Sequence, residues 1–240
     1  KQEPLFSMPV IVGTAYRKTP VFSAMMTYLE LAPTWTVPPT ILREDKLPAI
    51  KANPEYLREK HFRILKRADD AWVAVNAAEV AWNRVTAASF PGLLRQDPGP
   101  WNPLCRVKFM FPNAFNVYLH DTNQPQLFDN RQRSYSSGCI RVAHPLILAR
   151  YLLRDVDGWS EERLVEALQS VEPIRVTIPK MPVHIQYWTA WVTDEGRLQF
   201  REDIYYRDQD LDVALTEPDY QTEKHLEVAS AHSDEENERL

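Results

Sequence analysis

The chain has 240 residues, with 28 Lys+Arg against 33 Asp+Glu, a formal net charge of −5 and 44% apolar residues. That is enough for one large domain or two small ones with a real core, and it excludes wholesale disorder. The negative balance excludes a nucleic-acid binder that works by counterion release. No run approaches the ~18 consecutive apolar residues of a membrane span; the best, Pro145 to Leu153, is interrupted by Arg150.

Met8 to Gly13 is short, apolar and closed by a glycine, and reads as a strand. Arg17-Lys18-Thr19-Pro20 is a polar turn, and Val21 to Leu31 a second strand. Ala32 to Pro48 carries Pro33, Pro38, Pro39 and Pro48, so an extended or looping segment is expected. Leu47 to Lys60 predicts one or two short helices, with Pro54 where a helix can begin. Phe62 to Leu65 predicts a short strand. Asp69 to Val85 mixes helix-favouring alanines with valines that oppose them, and stays ambiguous. Pro91 to Pro103 is expected as loop. Residues 40–103 are therefore expected to be a mostly irregular insertion, a candidate lid or binding loop.

Arg106 to Phe111 and Asn116 to His120 predict a hairpin across Pro112-Asn113. Asp121 to Tyr135 is a polar loop, and His144 to Arg154 has helical periodicity. In a second helix Ser160 is a good N-cap, Glu161 and Glu162 suit the first turn, and Leu164, Ala167 and Leu168 form the buried stripe. Ile174 to Ile178 predicts a strand. Val183 to Thr193 and Leu198 to Arg201 predict a hairpin through Asp194-Glu195-Gly196-Arg197. Residues 217–240 hold eight acids and two bases, which leaves the rest of the chain close to neutral and predicts a solvated tail. The chain opens on Lys1 with no signal-peptide pattern, so a longer parent protein with any targeting or anchoring segment upstream is expected.

Chemistry concentrates at Ser136-Ser137-Gly138-Cys139-Ile140-Arg141, expected just before a helix. Cys105 and Cys139 are too few for a disulfide scaffold, so one bridge or one working thiol fits the composition. A glycine before a nucleophile lets a substrate carbonyl approach the backbone, whose N–H groups can face an oxyanion. Tyr118 and His120 are two apart on one strand and share a face. A thiol with an ordinary pKa near ~8.5 needs a histidine or another positive neighbour to act at neutral pH. The residues alone leave two readings open: a Cys–His catalytic pair, or a buried cysteine and a surface histidine. No metal-ligand spacing occurs.

His120, a spacer of fifteen residues, and then Ser136 to Arg141 resemble the signature of L,D-transpeptidases with the YkuD fold. The flanks agree: Val10 to Ser23, Thr34 to Pro39, Pro98-Gly99-Pro100 and Val107 to Asn113 are similar to the catalytic domain of the long, proteobacterial YcbB-type members. The resemblance covers residues 8–205. Ser137 stands where many members have histidine, which leaves His120 as the motif's base.

The resemblance implies a β-rich α/β fold, a YkuD-like mixed β-sheet sandwich with peripheral helices and an inserted lid or capping segment. It implies a catalytic domain over 1–205 and a C-terminal extension over 206–240. Cys139 would be the nucleophile and His120 the general base. The Asp121 backbone carbonyl, or else its side chain, would hold the imidazole. The N–H groups of Gly138 and Cys139 would form the oxyanion hole with the Tyr118 hydroxyl. Arg141, Ser136, Ser137 and Asp121 would contact substrate, and Trp72, Trp82 and Trp101 would belong to the lid. Cys105 would be a buried structural residue. The implied activity forms 3→3 cross-links between peptidoglycan tetrapeptide stems, donor and acceptor, without a cofactor. The implied partners are those stems, carbapenem inhibitors and other cell-wall synthesis enzymes, and the implied location is the periplasm of a Gram-negative cell. The competing readings are a hydrolytic or lipoprotein-attaching enzyme of the same fold, a papain-like peptidase, whose Cys precedes its His, and a non-catalytic wall-binding domain.

Overall fold

Alternation of apolar and polar side chains builds the central sheet. The computed structural model describes residues 5–216, so the acidic tail expected over 217–240 lies outside the described residues. Along the chain the strands are β1 (Val10–Gly13), β2 (Phe22–Leu31), β3 (Trp35–Thr36), β4 (Phe62–Ala68), β5 (Ala71–Ala74), β6 (Leu93–Gln96) and β7 (Val107–Met110). They continue as β8 (Leu119–His120), β9 (Ser134–Ser136), β10 (Ile140–Val142), β11 (Ile174–Ile185), β12 (Ala190–Val192) and β13 (Leu198–Phe200). The chain divides into two compact units after Ile185.

The first unit holds a seven-stranded mixed sheet in the order β11-β2-β7-β8-β10-β1-β9. Its left half is antiparallel; β8 runs parallel to β10, and β1 parallel to β9. Leu29, Leu31, Val107, Phe109, Ile140, Val142, Val176 and Ile178 fill one face. The helices Pro145–Leu153 and Glu161–Ala167 cover that face with Ala149, Leu152, Leu153, Leu164 and Ala167. Ser160 caps the second helix, accepting from Arg163 N at 3.2 Å as its N-cap chemistry requires. The strand-rich α/β fold expected from sequence is the one observed.

Three expectations are corrected. Residues 40–103 are not irregular: β3, β6, β4 and β5 form a second, antiparallel sheet. With the helices Pro39–Ile41, Leu47–Ala52 and Tyr56–Glu59 they enclose a second core of Trp35, Ile50, Leu57, Phe62, Ile64, Trp82 and Leu94. Prolines 38, 39 and 48 misled because proline is well suited to the first turn of a helix, which is where Pro39 and Pro48 sit. Cys139 precedes a strand, β10, rather than a helix. Val183 and Ile185 end the long β11, which pairs with β2 through a register shift between Thr177 and Met181; the expected hairpin is only β12 and β13.

The second unit consists of that hairpin, the helix Asp208–Thr216 and a small tyrosine cluster. Tyr187 and Tyr205 stack at 5.1 Å, and the Tyr187 hydroxyl donates to Asp203 Oδ1 at 2.7 Å.

Leu94 is 1% exposed at the centre of the second core. Leu94→Ala should cost about 2–5 kcal/mol of unfolding free energy, measured by denaturant titration.

Candidate active site

The two-residue strand period that sends apolar residues to the core sends the intervening ones to the opposite face. Parallel pairing sets Ile140 opposite Leu119 and Arg141 opposite His120, and antiparallel pairing sets Lys108 opposite His120 and Glu30 opposite Lys108. Tyr118 and Cys139 stand one position before these pairs' partners, with Ile140 N donating to Tyr118 O at 3.1 Å. Glu30, Lys108, Tyr118, His120, Cys139 and Arg141 therefore all line one cleft of about 960 Å³. Trp35, Tyr56 and Phe62 from the second-core module, together with Trp101, form its other wall.

The turn before Cys139 is held from several sides. Gly138 has φ +110°, a conformation that favours glycine. The Thr19 hydroxyl accepts from Gly13 N and donates to Gly138 O, both at 2.9 Å. Ser136 Oγ accepts from Gly138 N at 3.1 Å and donates to Cys139 O at 2.5 Å. Arg17 reaches from the turn between β1 and β2 to donate to Ser137 Oγ at 2.8 Å, and it pairs with Glu44 and Asp45. Asn113 shapes the loop before β8: its amide donates to Phe111 O and Val117 O, and its carbonyl accepts from Phe115 N and Val117 N. That loop brings Asn116, at φ +54°, to the site.

The Cys139 thiol donates to Asn116 O at 3.9 Å and is faced by the N–H and hydroxyl of Tyr118. Burial pushes the thiol up from its ordinary value, against the opposing pull of Tyr118 and of the Lys108 charge. The imidazole of His120 is 4% exposed, and its Nδ1 lies 2.5 Å from Asp121 O. A carbonyl only accepts, so Nδ1 carries the proton and Nε2 holds the lone pair. Burial first, and the neighbouring Arg141 charge second, lower its pKa to about 4, while the carbonyls of Asp121 and Pro103 oppose the fall. Cysteine and histidine thus rest as a neutral thiol and a neutral imidazole. Tyr118 is also pushed well above its ordinary value by burial and remains a protonated donor.

Several sequence expectations change here. The Gly138 N–H is taken by Ser136, so it is not a free oxyanion donor; the Cys139 N–H has no partner among the described residues. Ser136 is buried at the cleft lining, and its hydroxyl bonds the backbone on both sides of the turn. The Asp121 carboxylate faces Arg106 Nε at 2.6 Å and Thr122 N at 2.7 Å, so its backbone carbonyl, not its side chain, orients His120. Ser137 is exposed and bound to Arg17. Arg141 donates to Gln124 Oε1 at 2.9 Å, while its buried Nε has no hydrogen-bond partner among the described residues. Of the three lid tryptophans, Trp101 lines the cleft, Trp82 is inside the second core and Trp72 lies on the outer strand β5. Cys105 is a half-buried free thiol, raised to about 11 chiefly by burial.

Lys108, Glu30 and Thr19 were not singled out from sequence. Lys108 had a signal: it is the cation between Val107 and Phe109, and the strand period turns it away from the core that they enter.

Residues 1–185 match the family model described as the L,D-transpeptidase catalytic domain, YkuD. The chain is 35% identical over 206 residues to a Haemophilus influenzae protein whose name assigns it provisionally as an L,D-transpeptidase. The match takes in 85% of this chain and 41% of that protein, so the chain spans about two-fifths of the relative's length.

The buried His120 sets a pH dependence. An unfolded histidine takes up a proton below its ordinary 6.5, whereas the folded one stays neutral down to about 4. The unfolded state binds more protons in that window, so stability falls as pH drops from 6.5 towards 4, by roughly 3 kcal/mol in total. Unfolding free energies measured on either side of the window should show this slope in the wild type and lose it in His120→Gln.

Proposed function

Because the chain belongs to the YkuD family of L,D-transpeptidase catalytic domains, we propose that it forms 3→3 cross-links between peptidoglycan stems through an acyl-enzyme on Cys139. The observation that supports this reading best is the single sheet face that presents Cys139, Tyr118, His120 and Arg141 to one cleft.

The donor is a tetrapeptide stem ending in D-alanine. Cys139 Sγ attacks the carbonyl between the meso-diaminopimelate and that D-alanine, and its proton passes to Nε2 of His120. The start is a neutral pair, so the proton moves only once substrate is bound, and negative charge develops on sulfur as the proton leaves for His120. The Asp121 carbonyl then accepts from an imidazolium and steadies it. The free Cys139 N–H and the Tyr118 hydroxyl are the donors for the oxyanion. Collapse of the tetrahedral intermediate breaks the C–N bond, and His120 returns the proton to the departing D-alanine amine. The acceptor is the side-chain amine of a second stem's diaminopimelate. It attacks the thioester, loses a proton to His120, and restores the thiol.

Arg141 suits a stem carboxylate, since its buried Nε lacks a partner and none of the ion pairs among the described residues involves it. The wall formed by Trp35 and Trp101 keeps water from the thioester. Carbapenems would acylate the same sulfur. The protein would work in the periplasm of a Gram-negative cell, as a long-type member held at the inner membrane by an upstream segment and acting beside other cell-wall synthesis enzymes.

Intact-mass measurement after incubation with a carbapenem tests this. The folded wild type should gain one covalent adduct and Cys139→Ser none; a folded wild type without an adduct overturns the assignment. With purified tetrapeptide stems, Cys139→Ser should lose transfer by on the order of a thousandfold or more. Dimer in the product would show cross-linking, and tripeptide alone would show hydrolysis instead.

A further inference from the structure

Lys108 lies on β7 directly opposite His120 and turns to the cleft. Its Nζ stands 4.3 Å from the centroid of the Tyr118 ring and 3.8 Å from Glu30 Oε2. The second distance is too long for a hydrogen bond. The two side chains are 17% and 25% exposed. The ammonium is thus steadied by a ring face and a stand-off carboxylate, and its donors make no hydrogen bond among the described residues. The titratable or charged groups around it are Glu30 from β2, His120 from β8 with Tyr118 just before it, and Arg141 from β10 with Cys139 just before it.

Of these groups, the one that becomes newly negative during acyl transfer is Cys139. His120 is badly placed to hold a standing positive charge beside it, because it is fully enclosed and has Arg141 for a neighbour. A thiolate here needs a cation beside it, and Lys108, lowered from its ordinary value by burial but held up by Glu30 and by Cys139 itself, is placed to supply it. Resting on the reading of Cys139 as the nucleophile, we propose that the Lys108 ammonium is the counter-charge of the Cys139 thiolate and that Glu30 is the positioning residue that holds it at the Tyr118 ring. When the thiol proton moves to His120, the negative charge left on sulfur lies in the field of Nζ. Glu30 stands far enough off that it does not consume the charge in a tight pair.

Alkylation of Cys139 by iodoacetamide, followed by intact mass on the full chain across about pH 5 to 10, reads thiolate formation without any wall substrate. Cys139→Ser supplies the background from Cys105. Lys108→Met should raise the alkylation midpoint by about one pH unit, an approximately tenfold loss of thiolate at neutral pH. Lys108→Arg should restore most of the difference, and Glu30→Gln, which releases the ammonium from the Tyr118 ring, should move the midpoint in the same direction as Lys108→Met; a lowered midpoint overturns the positioning role of Glu30. A folded Lys108→Met with the wild-type midpoint overturns the proposal. If Lys108→Met lacks a native melting transition, carbon-13 lysine spectra of the wild type and Cys139→Ser decide. The Lys108 resonance should step at the alkylation midpoint in the wild type alone, and a wild type without that step overturns the proposal. Failure of the carbapenem adduct would remove the transpeptidase reading while leaving this profile intact; an unmoved profile in Lys108→Met removes the counter-charge alone.

Discussion

The parallel pairing of β8 with β10 is the constraint from which the site follows. It joins two segments separated by a polar loop, and its register places Arg141 opposite His120. With side chains alternating across a strand, that register sends Leu119 and Ile140 towards the main core and Tyr118, His120, Cys139 and Arg141 into the cleft. A slip of one residue would exchange the two sets, putting the apolar pair in water and the imidazole in the core. The core therefore enforces the register, and the register assembles the chemistry. Glu30 and Lys108 join the same face because antiparallel pairing carries the alternation on through β7 and β2.

Enclosure gives the site its electrostatics. Each charged form within it is penalised by the loss of water, which raises the thiol and phenol and lowers the imidazole and the ammonium. The Cys139 thiol and the His120 imidazole are accordingly favoured in their neutral forms, with fixed dipoles and cations arranged around them. The backbone carbonyl at Nδ1, the free Cys139 N–H and the Tyr118 hydroxyl are positioned by main-chain geometry and need no rearrangement when charge develops. The Cys139 turn is itself tied down by Thr19 and Ser136. Arg17 links that turn to Glu44 and Asp45, so the Cys139 loop and the wall facing it share a hydrogen-bonded anchor.

The facing wall is a folded module with its own sheet and core, and this alters what a lid can mean here. Two packed layers resist continuous deformation. Trp35 and Tyr118 tie the module to the sheet, since Tyr118 packs against the second core while its hydroxyl faces the Cys139 thiol.

The sequence by itself determined the local elements whose signals are short-range. The alternating strands β1, β2 and β7, the Ser160 cap and the helix after Pro145 follow from side-chain periodicity and capping chemistry, which neighbouring residues carry within themselves. The ordered motif from His120 to Arg141 pointed to the family and to the residues proposed to react. Only the tertiary structure decided what depends on strands meeting across long separations. Lys108 and Glu30 join the cleft through pairing partners distant in the chain, and the Asp121 carbonyl rather than its carboxylate faces His120 because Arg106 claims the side chain. Residues 40–103 looked irregular because short strands and proline-initiated helices carry weak local patterns; their order comes from burying Ile50, Phe62 and Leu94 against one another. Local chemistry chose the reactive groups, and long-range packing chose their neighbours, because the energy that fixes those neighbours resides in a core that no single segment contains.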